Sequence, residues 1–268
     1  MLVKKILSKQ NRALLHELVA TDFKLRYQGS VIGYAWSLLR PLLLFLILYL
    51  VFVKFLRLGQ DVPHFPIYLL LGIVLWNFFA EMTNQSLSSI VARGDLIRKV
   101  RIPRWIVVLS SSVSALINLA LNLLVVAVFM IINGVDITFS AVWFPFILAQ
   151  VYVFSLGVSL FLGAAFVKYR DISHIWEVAL QALFYLTPIL YPLTLVTNVT
   201  LQKLLLLNPM AQAIQDARNA LVTPNTLTIA EVFHNSAARL LPLLLTVAMV
   251  IVGVLYFKKE AKYFAENI

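Results

Sequence analysis

The sequence has 268 residues, of which 61% are hydrophobic and 13% are charged, whereas soluble domains carry roughly 25% charged residues. Its mean hydropathy is +0.90. These values predict an integral membrane protein, and the long apolar runs along the chain predict an all-α fold in one domain over residues 1–268. The absence of cysteine excludes disulfides, thiol nucleophiles and thiolate metal sites. The net charge of +10 does not indicate nucleic acid, because the basic residues lie between and beside apolar runs.

Met1 to Tyr27 lacks the continuous apolar core of a signal peptide. Residues 1–32 are predicted to form a cytosolic or interfacial N-terminal segment. Leu14 to Tyr27 predicts an amphipathic helix that lies in the cytoplasmic interface of the membrane. The apolar stripe of this helix consists of Leu15, Leu18, Val19 and Phe23. Asp22 and Arg26, four residues apart, are expected to pair on another face.

Apolar runs predict six membrane spans, at about residues 37–55, 67–81, 106–132, 142–167, 175–196 and 240–257. The second span continues into a polar helix over 82–92. In the first, Pro41 is expected in the opening turns, where a missing N–H costs little. Ser155, Ser159 and Gly163 in the fourth span form a small-residue stripe that we expect to pack within the chain.

Two prolines interrupt the fifth span, in the pairs Thr187-Pro188 and Tyr191-Pro192. Because proline removes a backbone donor, this span is predicted to be broken, with Pro188 and Pro192 as a hinge. The region 197–239 is too polar to cross a membrane. It predicts short amphipathic helices near 201–207 and 210–221.

The charge distribution predicts that both termini are cytoplasmic. With six spans, sixteen of the 22 basic residues fall on the inner side and five, Arg218 among them, on the outer side. This arrangement gives a six-span core at 33–257 and a cytosolic tail at 258–268.

The polar stretch from Asn84 to Trp105 lies between two membrane-length runs and carries five basic residues. Within it, Asp95 to Val100 predicts a short helix after Gly94, which Pro103 ends. Leu96, Ile97 and Val100 would form its apolar face, and Arg98 and Lys99 its solvated face. The pattern alone fits two interpretations, a plug for a soluble partner or a basic loop on lipid headgroups.

No catalytic or metal-binding constellation is predicted. The sequence contains no GxxxxGK[ST] motif, its four histidines are far apart, and Glu81 and Glu177 are expected near span ends. Ser110, Ser111, Ser112 and Ser114 predict a tightly packing helix face. A membrane-embedded glycosyltransferase would need an acidic or metal-binding loop, and a channel without an ATPase would leave the 84–105 stretch unexplained.

Five segments together resemble the ABC-2-type permeases that export bacterial polysaccharides, namely O-antigen, capsule and teichoic acid exporters. They are TDFKLRYQGSVIGYAWSLLRPLL (21–43), GDLIRKVRIPRW (94–105), FVKYRDISHIW (166–176), LFYLTPILYP (183–192) and NPMAQAIQDARNAL (208–221). They occur in the family's order and cover nearly the whole chain. Thr21 is a departure, since many members have arginine before the aspartate.

The resemblance implies a six-span subunit that forms a homodimer around a channel in the inner membrane of a prokaryotic cell. It also implies docking of two P-loop ATPase subunits, which bind ATP and Mg, so this chain has no cofactor and is not itself an enzyme. The loop is then a coupling helix consisting of Gly94, Asp95, Leu96, Ile97, Arg98, Lys99, Val100 and Arg101. The short helices near 201–207 and 210–221 become periplasmic gate helices.

The implied substrate is a lipid-linked polysaccharide, and the alternative is a small molecule such as a drug or antibiotic. Sugar CH faces stack on aromatic rings, and phenols add a donor for hydroxyls. The candidate pathway residues are Phe45, Tyr49 and Phe52 on one face of the first span, and Phe184, Tyr185 and Tyr191 beside the proline breaks. These rings could instead face membrane lipid or pack between helices.

Overall fold

The computed structural model describes residues 9–27, 33–99 and 103–264, and within them the backbone alone at Phe23, Leu25, Arg26, Tyr27, Tyr34, Leu96, Ile97 and Arg98. Every regular element in these ranges is helical, which confirms the predicted all-α class. The helices are α1 (Lys9–Tyr27), α2 (Trp36–Leu48), α3 (Phe65–Ala92), α4 (Gly94–Lys99), α5 (Trp105–Ile132), α6 (Phe144–Lys168), α7 (Ile172–Leu186), α8 (Val199–Leu207), α9 (Pro209–Leu221), α10 (Ile229–Val232) and α11 (Leu240–Glu260).

Five helical stretches in the described ranges are long and apolar enough to cross a membrane. They are Trp36–Phe55, Phe65–Ala92, Trp105–Ile132, Phe139–Lys168 and Ser236–Tyr263. They correspond to five of the six predicted spans. The remaining span is broken as predicted, because α7 has only 15 residues and ends just before Thr187-Pro188.

Helix α3 is the centre of the bundle. In its most apolar stretch 78% of the residues are buried, against 39% or less in the other four membrane-length helices. It packs against α5 on one side and α6 on the other. The predicted second span continues into the polar helix as one helix, as expected, and Glu81 lies within it. There Glu81 accepts hydrogen bonds from the side chains of Gln85 and Asn118.

Pro41 lies in the second turn of α2, which agrees with its predicted place in the opening turns. Helix α2 begins at Trp36, so Pro41 is its sixth residue and has no N–H to donate to the Ser37 carbonyl. Asn122 of α5 supplies a donor from outside, with Nδ2 at 3.3 Å from that oxygen. Beyond Leu48 the helix continues as a π-helical turn over Tyr49–Phe55.

The small-residue stripe on α6 packs against α3, as predicted. Ser159 donates a hydrogen bond to the Met82 carbonyl at 3.4 Å. A Cβ at Gly163 would lie 3.0 Å from the Ser86 carbonyl oxygen, so the two backbones approach closely there. The predicted serine face of α5 is buried too, over Ser110, Ser111, Ser112 and Ser114.

The bundle has two distinct ends. At one end, α4 follows the last residue of α3, and a small apolar cluster joins Ile90, Val167 and Phe257 from α3, α6 and α11. At the other end, α9 packs on the first turns of α3. Helix α7 starts just after α6 at the α4 end, and Ile189 beyond its break lies at the α9 end. The segment 172–189 therefore extends between the two ends of the bundle.

Helices α6 and α11 cross at close range. A Cβ at Gly157 would lie 2.9 Å from the Val250 backbone, and one at Gly253 would overlap the Gly157 carbonyl oxygen. Since neither backbone can move away without disturbing its own helix, these two glycines set the distance between α6 and α11.

We expect Gly253→Ala to force α6 and α11 apart and to destabilise the protein by roughly 1–3 kcal/mol, the usual cost of overpacking. The measurement is the thermal unfolding midpoint in detergent, followed by the fluorescence of the five tryptophans. Val252→Ala, at the exposed neighbouring position, is the matched control and should change the midpoint little. An unchanged midpoint in Gly253→Ala would show that the crossing is looser than described.

Candidate functional site

The predicted coupling segment forms a short helix, α4, attached directly to the end of the central helix α3. The intervening residue, Arg93, is fixed on two sides. Its guanidinium forms a salt bridge with Asp22 of α1 and donates a hydrogen bond to Ser110 Oγ of α5 at 2.7 Å. Because the side chains of this pair are only 16% and 25% exposed, solvent screens the interaction little. Arg93, next to the first residue of α4, is thus bonded to α1 and α5.

Part of the predicted coupling segment lies outside the described residues. The backbone is helical from Gly94 to Lys99, Gly94 is buried, and Asp95 and Lys99 are exposed. Val100, Arg101 and the side chains of Leu96, Ile97 and Arg98 lie outside the described part, so the apolar face stays a prediction. The predicted Asp22–Arg26 pair also falls on a side chain outside it.

The aromatic residues of the first span, in α2 and the π-helical turn after it, pack against the core of the bundle. Phe45 is buried, with its ring 5.8 Å from that of Tyr49 and 6.0 Å, edge-on, from that of Phe129 on α5. Tyr49 and Phe52 are half-buried. Their role in a substrate pathway remains a prediction.

The aromatic residues near the break surround the C-terminal end of α7. Phe184 packs on Trp76 of α3 at 5.9 Å, while Tyr185 is 66% exposed. The hydroxyl of Tyr191 reaches back to the carbonyls of Tyr185 and Leu186, at 3.4 and 3.3 Å. The chain therefore folds back on the end of α7 instead of continuing as a helix.

Helix α7 also presents a polar stripe that was not predicted. His174, Glu177, Gln181 and Tyr185, spaced by three, four and four residues, are all exposed. That spacing places them on one helical face. The signal was present in the sequence, since a polar residue at every turn is unusual in a membrane-length apolar run.

The side chain whose burial the sequence analysis missed is that of Arg218. It was counted among the basic residues of the outer side, and it is fully buried against α3 and the break after α7 (residues 187–192). Its Nε donates to the Tyr68 carbonyl at 2.9 Å, and its Nη1 and Nη2 donate to the carbonyls of Pro188 and Ile189 at 2.6 and 2.7 Å.

The surroundings of Arg218 are completed by two side chains. Gln215 Oε1 accepts hydrogen bonds from Nη1 of Arg218 at 3.0 Å and from the Tyr68 hydroxyl at 3.1 Å. The guanidinium carbon lies 3.6 Å from the centroid of the Tyr68 ring. Glycine at position 72 leaves room for this group, because a Cβ there would lie 2.5 Å from Nη2.

The charge of Arg218 is stabilised without an acidic partner. In the described ranges no carboxylate lies within ion-pair distance, and burial lowers the pKa of the guanidinium from its ordinary value. Taking a cation out of water costs several kcal/mol. Hydrogen bonds from a charged donor contribute about 1.5–3 kcal/mol each, and a desolvated cation–π contact about 2 kcal/mol. The four acceptor contacts and the ring are together of the right size to offset that cost.

The spacing of residues within 209–221 indicates that the side chain of Arg218 is buried. Ala211, Ile214 and Arg218 follow one another at steps of three and four, so the arginine lies on the small, apolar face of α9. A cation on a buried face needs acceptors. The sequence alone does not say which elements supply them.

Comparison with known proteins agrees with this architecture. Residues 13–222 match the family described as ABC-2 type transporter. The chain is 32% identical over 260 residues to the O-antigen export system permease protein RfbA of Myxococcus xanthus, covering 97% of this chain and 96% of that protein.

Two further relatives are more distant. An O-antigen export system permease protein RfbA of Klebsiella pneumoniae is 29% identical over 216 residues, covering 79% of this chain and 82% of the relative. The polysialic acid transport protein KpsM of Escherichia coli is 22% identical over 220 residues, with the same coverage of both chains. The matched region includes the break, the coupling segment and Arg218, and the chain belongs to the ABC-2 type transporter family.

Proposed function

We propose that this chain is the channel-forming subunit of an ABC exporter that moves a lipid-linked polysaccharide across the inner membrane of a prokaryotic cell. The observation that carries the proposal is the exposed polar stripe on α7, in a segment that extends between the two ends of a membrane bundle. The relatives named for O-antigen export and polysialic acid transport support a polysaccharide over a drug or antibiotic as the substrate.

The polar stripe favours a second copy of this chain as the partner of α7. Glu177 and Gln181 would be costly against lipid, because hydrocarbon offers no hydrogen bonds to a carboxylate or an amide. They become favourable if two α7 helices face each other across a water-filled path. Hydroxyl-rich sugars would find acceptors and donors along that path at each helical turn, and Tyr185 adds an aromatic face.

The membrane topology that supports this proposal has six crossings. The segment 172–189 counts as one crossing because it joins the same two ends of the bundle as its neighbours. The α4 end carries most of the basic residues, which is typical of the cytoplasmic side. Both termini are then cytoplasmic, and α8 and α9 lie at the periplasmic face as gate helices.

The energy source would be a separate pair of ATPase subunits, which bind ATP and Mg. The sequence lacks the glycine-rich loop that cradles phosphates, so hydrolysis belongs to the partner. Helix α4 is a suitable contact, because it is short, follows α3 directly and lies beside the Arg93–Asp22 pair. Closure of the ATPase dimer would push on α4 and, through Arg93, on α1, α3 and α5.

The proposal predicts that the tagged chain purifies with a P-loop ATPase at equal stoichiometry and with a glycolipid that mass spectrometry detects. We expect Leu96→Asp together with Ile97→Asp to abolish ATPase binding, because the change puts charge into an apolar contact. The matched control is Ser88→Asp with Ala92→Asp, which adds two carboxylates at exposed positions two turns and one turn before Leu96. Retention of the ATPase by the Leu96/Ile97 variant would place the contact elsewhere, and a lone active chain would contradict export.

The polar stripe gives a second prediction. Glu177→Leu with Gln181→Leu should slow polysaccharide export at least about tenfold while ATPase binding is kept, because a polymer of hydroxyls loses its acceptors along the path. Val178→Ala, on the adjacent exposed apolar position, should export normally. Export is measured as polymer reaching the cell surface, normalised to the amount of permease in the membrane. Unchanged export by the double variant would show that α7 faces lipid.

A further inference from the structure

We propose that Arg218 is the positioning residue of the outer gate: its guanidinium holds the break, residues 187–192, against α3 when the pathway is closed, and transport requires its release. This inference rests on the proposed export function. Arg218 is fully buried, so its side chain does not line the transport path, and its presence needs another explanation.

Arg218 joins three elements through one rigid group. It is carried by α9 and donates to Tyr68 on α3 and to Pro188 and Ile189 of the break. A guanidinium is planar and presents its donors in a fixed fork, so these bonds form together only at one relative placement of the three elements. Arg218 therefore selects a single position of the break.

The break needs such a donor because of its prolines. In a continuous helix the Pro188 carbonyl would accept from the N–H of residue 192, but that residue is also proline and has none. Arg218 Nη1, at 2.6 Å, takes the place of this missing donor. Removing the guanidinium would leave two buried carbonyls without the donors that they now have, which favours movement of the break toward water.

The contact is suited to opening as well as to closing. Guanidinium and carbonyl groups are both well solvated, so water that enters a polar pathway can replace their mutual hydrogen bonds. An apolar contact in the same place would oppose that entry. The hydrogen bonds of Arg218 thus hold the break in place while water is excluded. Once water enters, it replaces these bonds at small cost.

Helix α3 connects this contact with the coupling segment. Tyr68 and Arg93 lie at opposite ends of α3 and its cap, about 37 Å apart at 1.5 Å per residue. Because α3 is one continuous, buried helix, a push on α4 tilts or shifts Tyr68 relative to the break. The contacts of Arg218 are the point at which that movement would open the outer gate.

The absence of native cysteine allows a direct test with single-cysteine reporters. Thr187→Cys reports on the break: Thr187 is 1% exposed, and its Oγ1 has no hydrogen-bond partner in the described residues, so the exchange removes no bond. Ser86→Cys is the matched reporter of general unfolding, since Ser86 is 0% exposed and its Oγ is likewise unpartnered there. The rate of maleimide labelling is measured on the detergent-purified full chain, with its ATPase where that is bound.

We expect Arg218→Lys to speed labelling of the cysteine at 187 about tenfold, because a single ammonium cannot bridge Tyr68 and both carbonyls, while the cysteine at 86 stays protected. Gly72→Ala keeps the arginine but crowds Nη2, so it should act in the same direction. Arg239→Lys, at an exposed arginine of the same end, should change neither rate. In the complex with native Arg218, trapping with ATP and vanadate should also speed labelling at 187.

The proposal is overturned if neither Arg218→Lys nor Gly72→Ala changes the rate at 187, or if the rates at 187 and 86 rise together, which would mean general loosening. Equal labelling with and without trapped nucleotide would contradict release during transport. Labelling of the variants requires neither ATPase nor polysaccharide. A failure of the export proposal therefore remains distinguishable from a failure of this one.

Discussion

Backbone carbonyls that lose their helical donors within a membrane must find others, and the arrangement of this protein around residues 187–192 follows from that constraint. The prolines at 188 and 192 end α7, and the carbonyls of Pro188 and Ile189 accept from Arg218. The same guanidinium reaches Tyr68, so the end of α7, the start of α3 and α9 are held at one point. Gly72 is required there because any larger side chain would occupy the space of Nη2.

The remainder of the bundle keeps α3 buried between its two ends. The small residues of α6 let its backbone approach α3, and the Gly157–Gly253 crossing brings α11 against α6. At the far end, Arg93 ties α3 to α1 and α5 beside the coupling segment. A stiff central helix fixed at both ends is the simplest mechanical link between an ATPase on one side of a membrane and a gate on the other.

Much of this could be predicted from the sequence, because hydrophobic runs, prolines and charge asymmetry are local signals. They located five long helices, the break in α7, the helical coupling segment and the helices at 199–207 and 209–221. Side-chain partners could not be predicted in the same way. The partner of Asp22 is 71 residues away, at Arg93, and three of the four acceptors of Arg218 are on two other elements. The spacing of the polar stripe of α7 is present in the sequence, but it was not predicted because the segment as a whole is apolar.

The central claim is that α7 lines a path between two copies of this chain, with Arg218 closing its outer end. It is tested most directly by a cryo-electron microscopy structure of the complex in a lipid nanodisc, with and without trapped nucleotide. We expect Glu177 and Gln181 of the two copies to face each other across the symmetry axis, and the Arg218 contacts to Pro188 and Ile189 to be broken in one of the two states. A structure in which this stripe faces lipid, or in which those contacts persist in an open path, would contradict it.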